Sequence, residues 1–267
     1  MPRLRSLTVG TPSGQPDAAP TREDRHAVIL QVLQADRAVD VADLAGRFGV
    51  TEMTIRRDLA ELDRAGQLRR VHGGAVLRAA PAFGSRADVM SGEKERIAEL
   101  VAGLVAGDES VGIDTGTTCR AVAARLADRN DLTVVTYSLH AASEFRQSAV
   151  RTMVLGGMLT PEMTLVNGAV ADAPPSVHLN SLVLGCGGLS AQPGVTHFDP
   201  AEVAVRRSLA RISDRIVLAA DHTKFQRKTA IVFGALDAVD VLVTDTRPPA
   251  DLQAALDAAG VEVHVAG

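Results

Sequence analysis

A chain of 267 residues, 46% of them hydrophobic and with a net charge of −4, has material for two domains and a substantial core. No apolar run approaches the roughly 20 residues that span a bilayer, and Arg3 and Arg5 are not followed by the apolar segment of a signal peptide. Two cysteines (Cys119 and Cys186) and seven scattered histidines offer neither a disulfide framework nor metal-ligand spacing, so a reducing cytoplasm is expected, and neither a metal nor a cofactor is.

Charge is unevenly spread. Residues 1–80 hold 12 arginines and no lysine against 10 acidic residues, a net of +2, and the remainder carries −6. A mildly basic head on an acidic body suits a head that meets polyanions. Lysine is scarce, with only Lys94, Lys224 and Lys228 beside 25 arginines.

Residues 1–20, rich in Pro, Gly, Ser and Ala, read as a disordered leader. Thr21 then caps a helix running to about Gln34, with Val28, Ile29, Val32 and Leu33 on one face. A short link containing Asp40 precedes a helix over Val41–Phe48, stopped by Gly49. Thr51 is placed to cap a third helix. On that helix Ile55, Leu59 and Leu62 recur at i, i+4 and i+7 and form its buried stripe. Met53, Thr54, Arg57, Glu61 and Arg64 point away, and Arg56 lies on the flank. Asp58 falls near the stripe, where its expected part is to orient an arginine such as Arg56 or one further on. Gly66 ends the helix. Leu68–Val71 then reads as a strand, and His72-Gly73-Gly74 as the turn of a small hairpin.

Residues 78–92 are a linker by composition. Beyond them the pattern alternates: helix 93–106, strand 110–114, helix 118–128, strand 132–136, helix 139–146, strand 151–155. After an irregular or partly helical 158–180 come strand 181–185, helix 200–212, strands 215–220, 229–233 and 239–244, helix 249–259 and strand 261–265. Strands alternating with helices predict an α/β domain on a mainly parallel sheet.

Several of these strands run into small, polar or glycine-rich loops, and in an open α/β sheet such loops line one crevice. In Asp114-Thr115-Gly116-Thr117-Thr118, Gly116 permits a tight turn and the following N–H groups would point from a helix N-terminus, a ready anion site. An ordinary strand-to-helix turn with a threonine cap accounts for the same residues. Lys224, at a strand's end in an arginine-preferring chain, suggests a point charge for phosphate or carboxylate; a solvated loop lysine is the plain alternative. Glu202, in Asp199-Pro200-Ala201-Glu202, is explained by a capping box. Cys119 shares an apolar helical face with Val122 and Leu126, which makes it a packing residue. No GxSxG elbow or P-loop occurs.

VTEMTIRRDL followed by RRVHGGA, ahead of GIDTGTT, VVTYSLH, LGGML and AADHTKF, resembles the DeoR family of bacterial transcriptional regulators from about Arg22 to the C-terminus. The resemblance implies a winged helix-turn-helix over 21–77, a linker over 78–92 and, over 93–267, an α/β sensor related in fold to ribose-5-phosphate isomerase and CoA transferases. It further implies a repressor released from double-stranded DNA by a small phosphorylated sugar. Thr51, Glu52, Met53, Thr54, Arg56 and Arg57 would meet the major groove, and Arg69, Arg70 and His72 the backbone or minor groove through the wing. Asp114, Thr115, Gly116, Thr117 and Thr118 would cradle the phosphate, with Tyr137, Ser138, Gly185, Asp221 and Lys224 bordering the crevice.

Two departures stand out: Tyr137 replaces a common Asn, and Gly187-Gly188-Leu189-Ser190 replaces an Asp-Gly-Ile-Asp-like run. Missing carboxylates there favour sensing over isomerase chemistry. The alternatives are a sugar-phosphate isomerase or CoA-transferase-like enzyme with a DNA-binding head, and a redox or metal sensor built on Cys119 and Cys186. Reading two half-sites takes two recognition helices, so a homodimer or higher oligomer is expected.

Overall fold

The computed structural model describes residues 20–172 and 175–267. The expected leader, apart from Pro20, lies outside them. Helix α1 (Arg22–Asp36) starts at a capping box: Thr21 Oγ accepts from the Asp24 N–H while Asp24 reaches back to the Thr21 N–H. Helix α2 (Val41–Phe48) is capped by Asp40, which accepts from the Ala42 and Asp43 N–H groups, and ends at Gly49 with φ +65°. Thr51 caps α3 (Glu52–Arg64).

A strand absent from the sequence reading, β1 (Ala38–Asp40), precedes α2 and pairs antiparallel with β3 (Gly74–Leu77), which also pairs with β2 (Leu68–Val71). The approach is close. A Cβ on Gly74 would lie 1.9 Å from the Val39 carbonyl oxygen, so only glycine fits. Ile29, Leu33, Leu44, Ile55, Leu59, Leu62 and Leu68 close a separate core under these elements.

The expected linker contains the short helix α4 (Phe83–Ala87), and α5 (Ser91–Gly103) begins within it. Then follow β4 (Ser110–Ile113), α6 (Thr117–Leu126), β5 (Thr133–Thr136), α7 (Leu139–Glu144) and β6 (Arg151–Val154). The stretch expected to be irregular holds a hairpin, β7 (Met158–Leu159) with β8 (Leu165–Val166), and α8 (Gly168–Asp172). The rest comprises β9 (Leu179–Leu184), β10 (Gly188–Ser190), β11 (Gly194–His197), α9 (Pro200–Ala210), β12 (Ser213–Ala219), a 3-10 turn at His222–Lys224, β13 (Ile231–Gly234), β14 (Val241–Thr244), α10 (Ala250–Ala258) and β15 (Glu262–Val265).

Seven strands make one parallel sheet in the order β15-β14-β12-β9-β4-β5-β6. Strand alternation sends Val183, Val217 and Val243 to the face covered by α5 and α6, and Leu182, Leu218 and Leu242 to the face covered by α9 and α10. From β4 the chain first builds outward through β5 and β6, and then returns to β9 on the other side. The order therefore reverses between β4 and β9, the place where an open α/β sheet opens a crevice at its carboxyl ends. A small antiparallel sheet, β10-β11-β13, forms separately.

Head and body share a seam. Leu30 and Leu77 pack against Val203, Ala230 and Ile231, and Arg37 pairs with Asp199 at 3.3 Å.

Candidate functional site

Two charged regions stand out, one on α3 and one at the sheet's reversal point. Burial of Ile55, Leu59 and Leu62 leaves Met53 71% exposed and turns Thr51, Glu52, Thr54, Arg56 and Arg57 to the outside or its margin. The Thr51 and Thr54 hydroxyls lie 3.0 Å apart, and Glu52 accepts from Arg56 at 2.8 Å. Arg69, Arg70 and His72 are exposed on β2 and its turn, while Leu68 enters the core. Such exposed pairs contribute about 0.2–1 kcal/mol, so these guanidiniums can exchange partners.

Asp58 departs from expectation. It is 2% exposed, and its arginine comes neither from α3 nor from the hairpin but from α1: Arg25 Nε donates at 2.7 Å and Nη2 at 3.1 Å, with His26 Nε2 at 3.3 Å. This carboxylate bolts α3 to α1.

At the reversal point, β4 ends in Asp114-Thr115-Gly116 and α6 begins. Gly116 takes φ +112° and supplies no side-chain cap, so the first-turn N–H groups of α6 are left for an incoming acceptor. Thr117 is half-buried beside them; Thr115 and Thr118 are buried.

Asp114 does not face the crevice. Fully buried, it accepts from Arg206 Nε at 3.0 and 2.9 Å, from the Gly185 N–H at 3.1 Å and from the Tyr137 hydroxyl. Its oxygens are consumed internally, and a second anion beside them would be repelled. Tyr137, also fully buried, is a donor in that knot rather than a ligand contact; burial pushes its phenol well above the ordinary range and keeps it protonated. Gly185 spends its N–H there. Ser138, 1% exposed, accepts from the Ala141 N–H and caps α7. Glu202 forms no capping box either: Asp199 caps α9, while Glu202 accepts from Arg206 at 3.1 Å and from Thr164 at 3.0 Å. Burial disfavours the Arg206 cation, but Asp114 and Glu202 outweigh it and hold the guanidinium charged.

Two residues sequence reasoning missed as site members are Arg206 and Lys94. Lys94 lies on α5, 5% exposed, and donates to the Arg86 carbonyl at 2.5 Å and to that of Val89. Among the described residues it has no carboxylate partner within ion-pair distance. Burial pulls its pKa down, Asp221 raises it, and the nearby Lys224 and Arg86 cations lower it further. Its signal was present: Lys94, Ile97, Ala98 and Val101 fall at i, i+3, i+4 and i+7. A cleft of about 120 Å³ is bordered by Phe83, Ser91, Lys94, Thr117 and Arg120. Asp221, 1% exposed, caps its 3-10 turn through Thr223 and holds Lys224 at 3.5 Å, leaving Lys224 partly open to solvent.

Burial raises both thiols, Cys186 to about 12, so both stay protonated and unreactive at neutral pH. Among the described residues no group of three or more His, Cys, Asp or Glu gathers as a metal site, and no helix is long and apolar enough to cross a membrane.

The chain matches the family model of the DeoR-like helix-turn-helix domain over residues 25–79 and that of the DeoR C-terminal sensor domain over residues 90–246. The transcriptional repressor AccR of Agrobacterium fabrum is 32% identical over 236 residues, covering 84% of this chain and 90% of that protein. The glycerol-3-phosphate regulon repressor of Escherichia coli is 31% identical over 237 residues, covering 87% and 94%. Among solved structures, ribose-5-phosphate isomerase A from Methanocaldococcus jannaschii is 12% identical with a TM-score of 0.40, over 52% of this chain and 56% of that one.

Proposed function

The chain belongs to the DeoR family of transcriptional regulators, and from that premise we propose that it is a repressor released from its operator by a small phosphorylated sugar or sugar derivative bound at the α6 N-terminus. Residues 21–77 form the DNA-binding head and 93–267 the sensor, joined through 78–92. Thr51, Glu52, Met53, Thr54, Arg56 and Arg57 present the major-groove face, and Arg69, Arg70 and His72 the wing. Two heads on two half-sites call for a homodimer or larger assembly. Free thiols and a DNA partner fit the cytoplasm.

The observation that carries the effector half is the buried Lys94 ammonium, whose partners among the described residues are two carbonyls, beside Lys224 and an uncapped helix start. A buried cation without a counter-ion is costly, and a phosphate dianion removes that cost while accepting from the α6 N–H groups. Thr117, Lys94 and Lys224 supply the contacts; Asp114, Tyr137 and Gly185 set the loop's shape. The same knot favours sensing over catalysis. The carboxylates that do lie beside the loop, Asp114 and Glu202, are both held by Arg206 and are not free to act as acid and base.

Fluorescence anisotropy of the full chain on duplex from its own upstream region tests this reading. Glycerol 3-phosphate and hexose and pentose phosphates are titrated in turn, with the unphosphorylated sugars as controls. At least one phosphorylated compound should release the DNA, and Thr117→Ala and Lys224→Ala should blunt release without weakening ligand-free binding. Release by unphosphorylated sugars alone, or equal sensitivity in the variants, would move the effector elsewhere.

A further inference from the structure

Between the first turn of α1 and the outer face of α3 lies a cleft of about 620 Å³, lined by Arg22, Arg25, Arg56 and Arg57 with Thr54 and Asp58 among its walls. The carboxylate in that lining is already committed. Asp58 takes both Arg25 bonds, and Arg25 is further fixed by donating from Nη1 to the Pro20 carbonyl at 2.8 Å. Arg25 is accordingly held static, with its side chain 11% exposed.

Arg22 and Arg57 behave differently. They come from different helices and converge on the two oxygens of one carboxylate: Arg22 Nη1 lies 3.3 Å from Glu61 Oε2, and Arg57 Nε 3.7 Å from Glu61 Oε1. Both arginine side chains are exposed, at 61% and 82%, and neither contact is tight. A backbone phosphodiester offers two unbridged oxygens sharing one negative charge in much the same fork as the carboxylate, and it adds the field of the neighbouring phosphates along the duplex.

We propose that this cleft clamps one backbone phosphate of duplex DNA between Arg22 and Arg57, and that Glu61 holds the two guanidiniums in place until the phosphate displaces it. The inference rests on the reading of α3 as the DNA-facing helix. It adds α1 to the interface and gives Glu61 the part of a placeholder. Displacement sets Glu61 free beside a polyanion, so Glu61 lowers affinity for any DNA while keeping the arginines aimed. The contact reads no base. Its contribution is the same for every sequence and depends on salt.

The test is anisotropy of the full chain on an upstream duplex and on a scrambled duplex of equal length, across about 50–200 mM salt. Arg22→Ala should weaken both by a common factor and reduce the slope of log affinity against log salt by about 1. Arg22→Lys should keep the slope, and Glu61→Gln should tighten both duplexes. Arg22 is exposed on the first turn, and an unchanged Tm certifies the variant's fold. A slope and affinity unchanged by Arg22→Ala, or a loss confined to the upstream duplex, overturns the clamp and leaves the DNA reading intact. A wild-type chain that binds neither duplex overturns both.

Discussion

The two charged regions handle their ions in opposite ways. On α3 the arginines sit on the surface in loose pairs with Glu52 and Glu61, and little is lost when those pairs open. At the sheet's reversal point the charges are buried. Arg206 is committed to Asp114 and Glu202, while Lys94 has carbonyls and, among the described residues, no counter-ion. Exposed charge can be exchanged between partners, which suits a surface that must find and leave DNA. Buried charge is expensive in every wrong state, which suits a site that must register whether an anion is present.

If that contrast is right, buried charges should govern stability and exposed ones affinity. The largest effect expected is for Asp114→Asn. It leaves the Arg206 cation under-compensated in the interior and should cost about 3–5 kcal/mol, read by urea denaturation. A loss under about 1 kcal/mol would mean that water reaches the knot and that the contrast is one of degree only. Arg56→Ala should leave Tm within the range of a surface substitution, yet lower affinity for the operator by about 1–3 kcal/mol while sparing a scrambled duplex. Equal losses on both duplexes would turn Arg56 into a backbone contact.

Lys94→Met tests the other half. Removing a buried cation without a counter-ion should hold or raise the stability of the ligand-free chain, by about 1 kcal/mol and so with an equal or higher Tm, while abolishing effector-driven release. The sign follows from the lowered Lys94 pKa: the unfolded chain binds that proton more readily, so the charge opposes folding at neutral pH. A lower ligand-free Tm would show that the bonds to the Arg86 and Val89 carbonyls outweigh desolvation.

The smallest effect concerns His222, whose hydrogen bond to Asp245 raises its pKa. A raised histidine gives stability that is present below its unfolded value, about 6.5, and is lost as pH rises through the folded one. His222→Gln should therefore flatten that slight decline in a Tm-against-pH series. An unchanged profile would assign the decline to other groups.

How far the sequence could be read follows the same division. Helices α2 and α3 were legible because Asp40, Gly49 and Thr51 mark their ends and the apolar spacing marks their faces. The three-residue β1 is too short to show an alternation, and it exists because β3 lies against it. The Asp58–Arg25 and Asp114–Arg206 pairs join residues 33 and 92 positions apart, which no local pattern reveals. That distance is why Asp114 and Tyr137 were read as facing a ligand when they face each other. Lys94 is different: it carries the spacing of a buried face, but Glu93, Glu95 and Arg96 around it are charged, so the local composition does not mark it as buried.

Helix α9 starts at the Asp199 cap, which touches Arg37 of the head, and seven residues later it presents Arg206 to Asp114 at the end of β4. Those points are about 10 Å apart along the axis, roughly two turns. A hydrogen-bonded helix of that length neither shortens nor stretches appreciably, so it behaves as a strut. A displacement of the 114–116 loop that moved Arg206 would therefore be felt at Asp199. There the helix meets the apolar seam around Leu30 and Val203, so any movement that the loop imposed on Arg206 would reach the head through that contact.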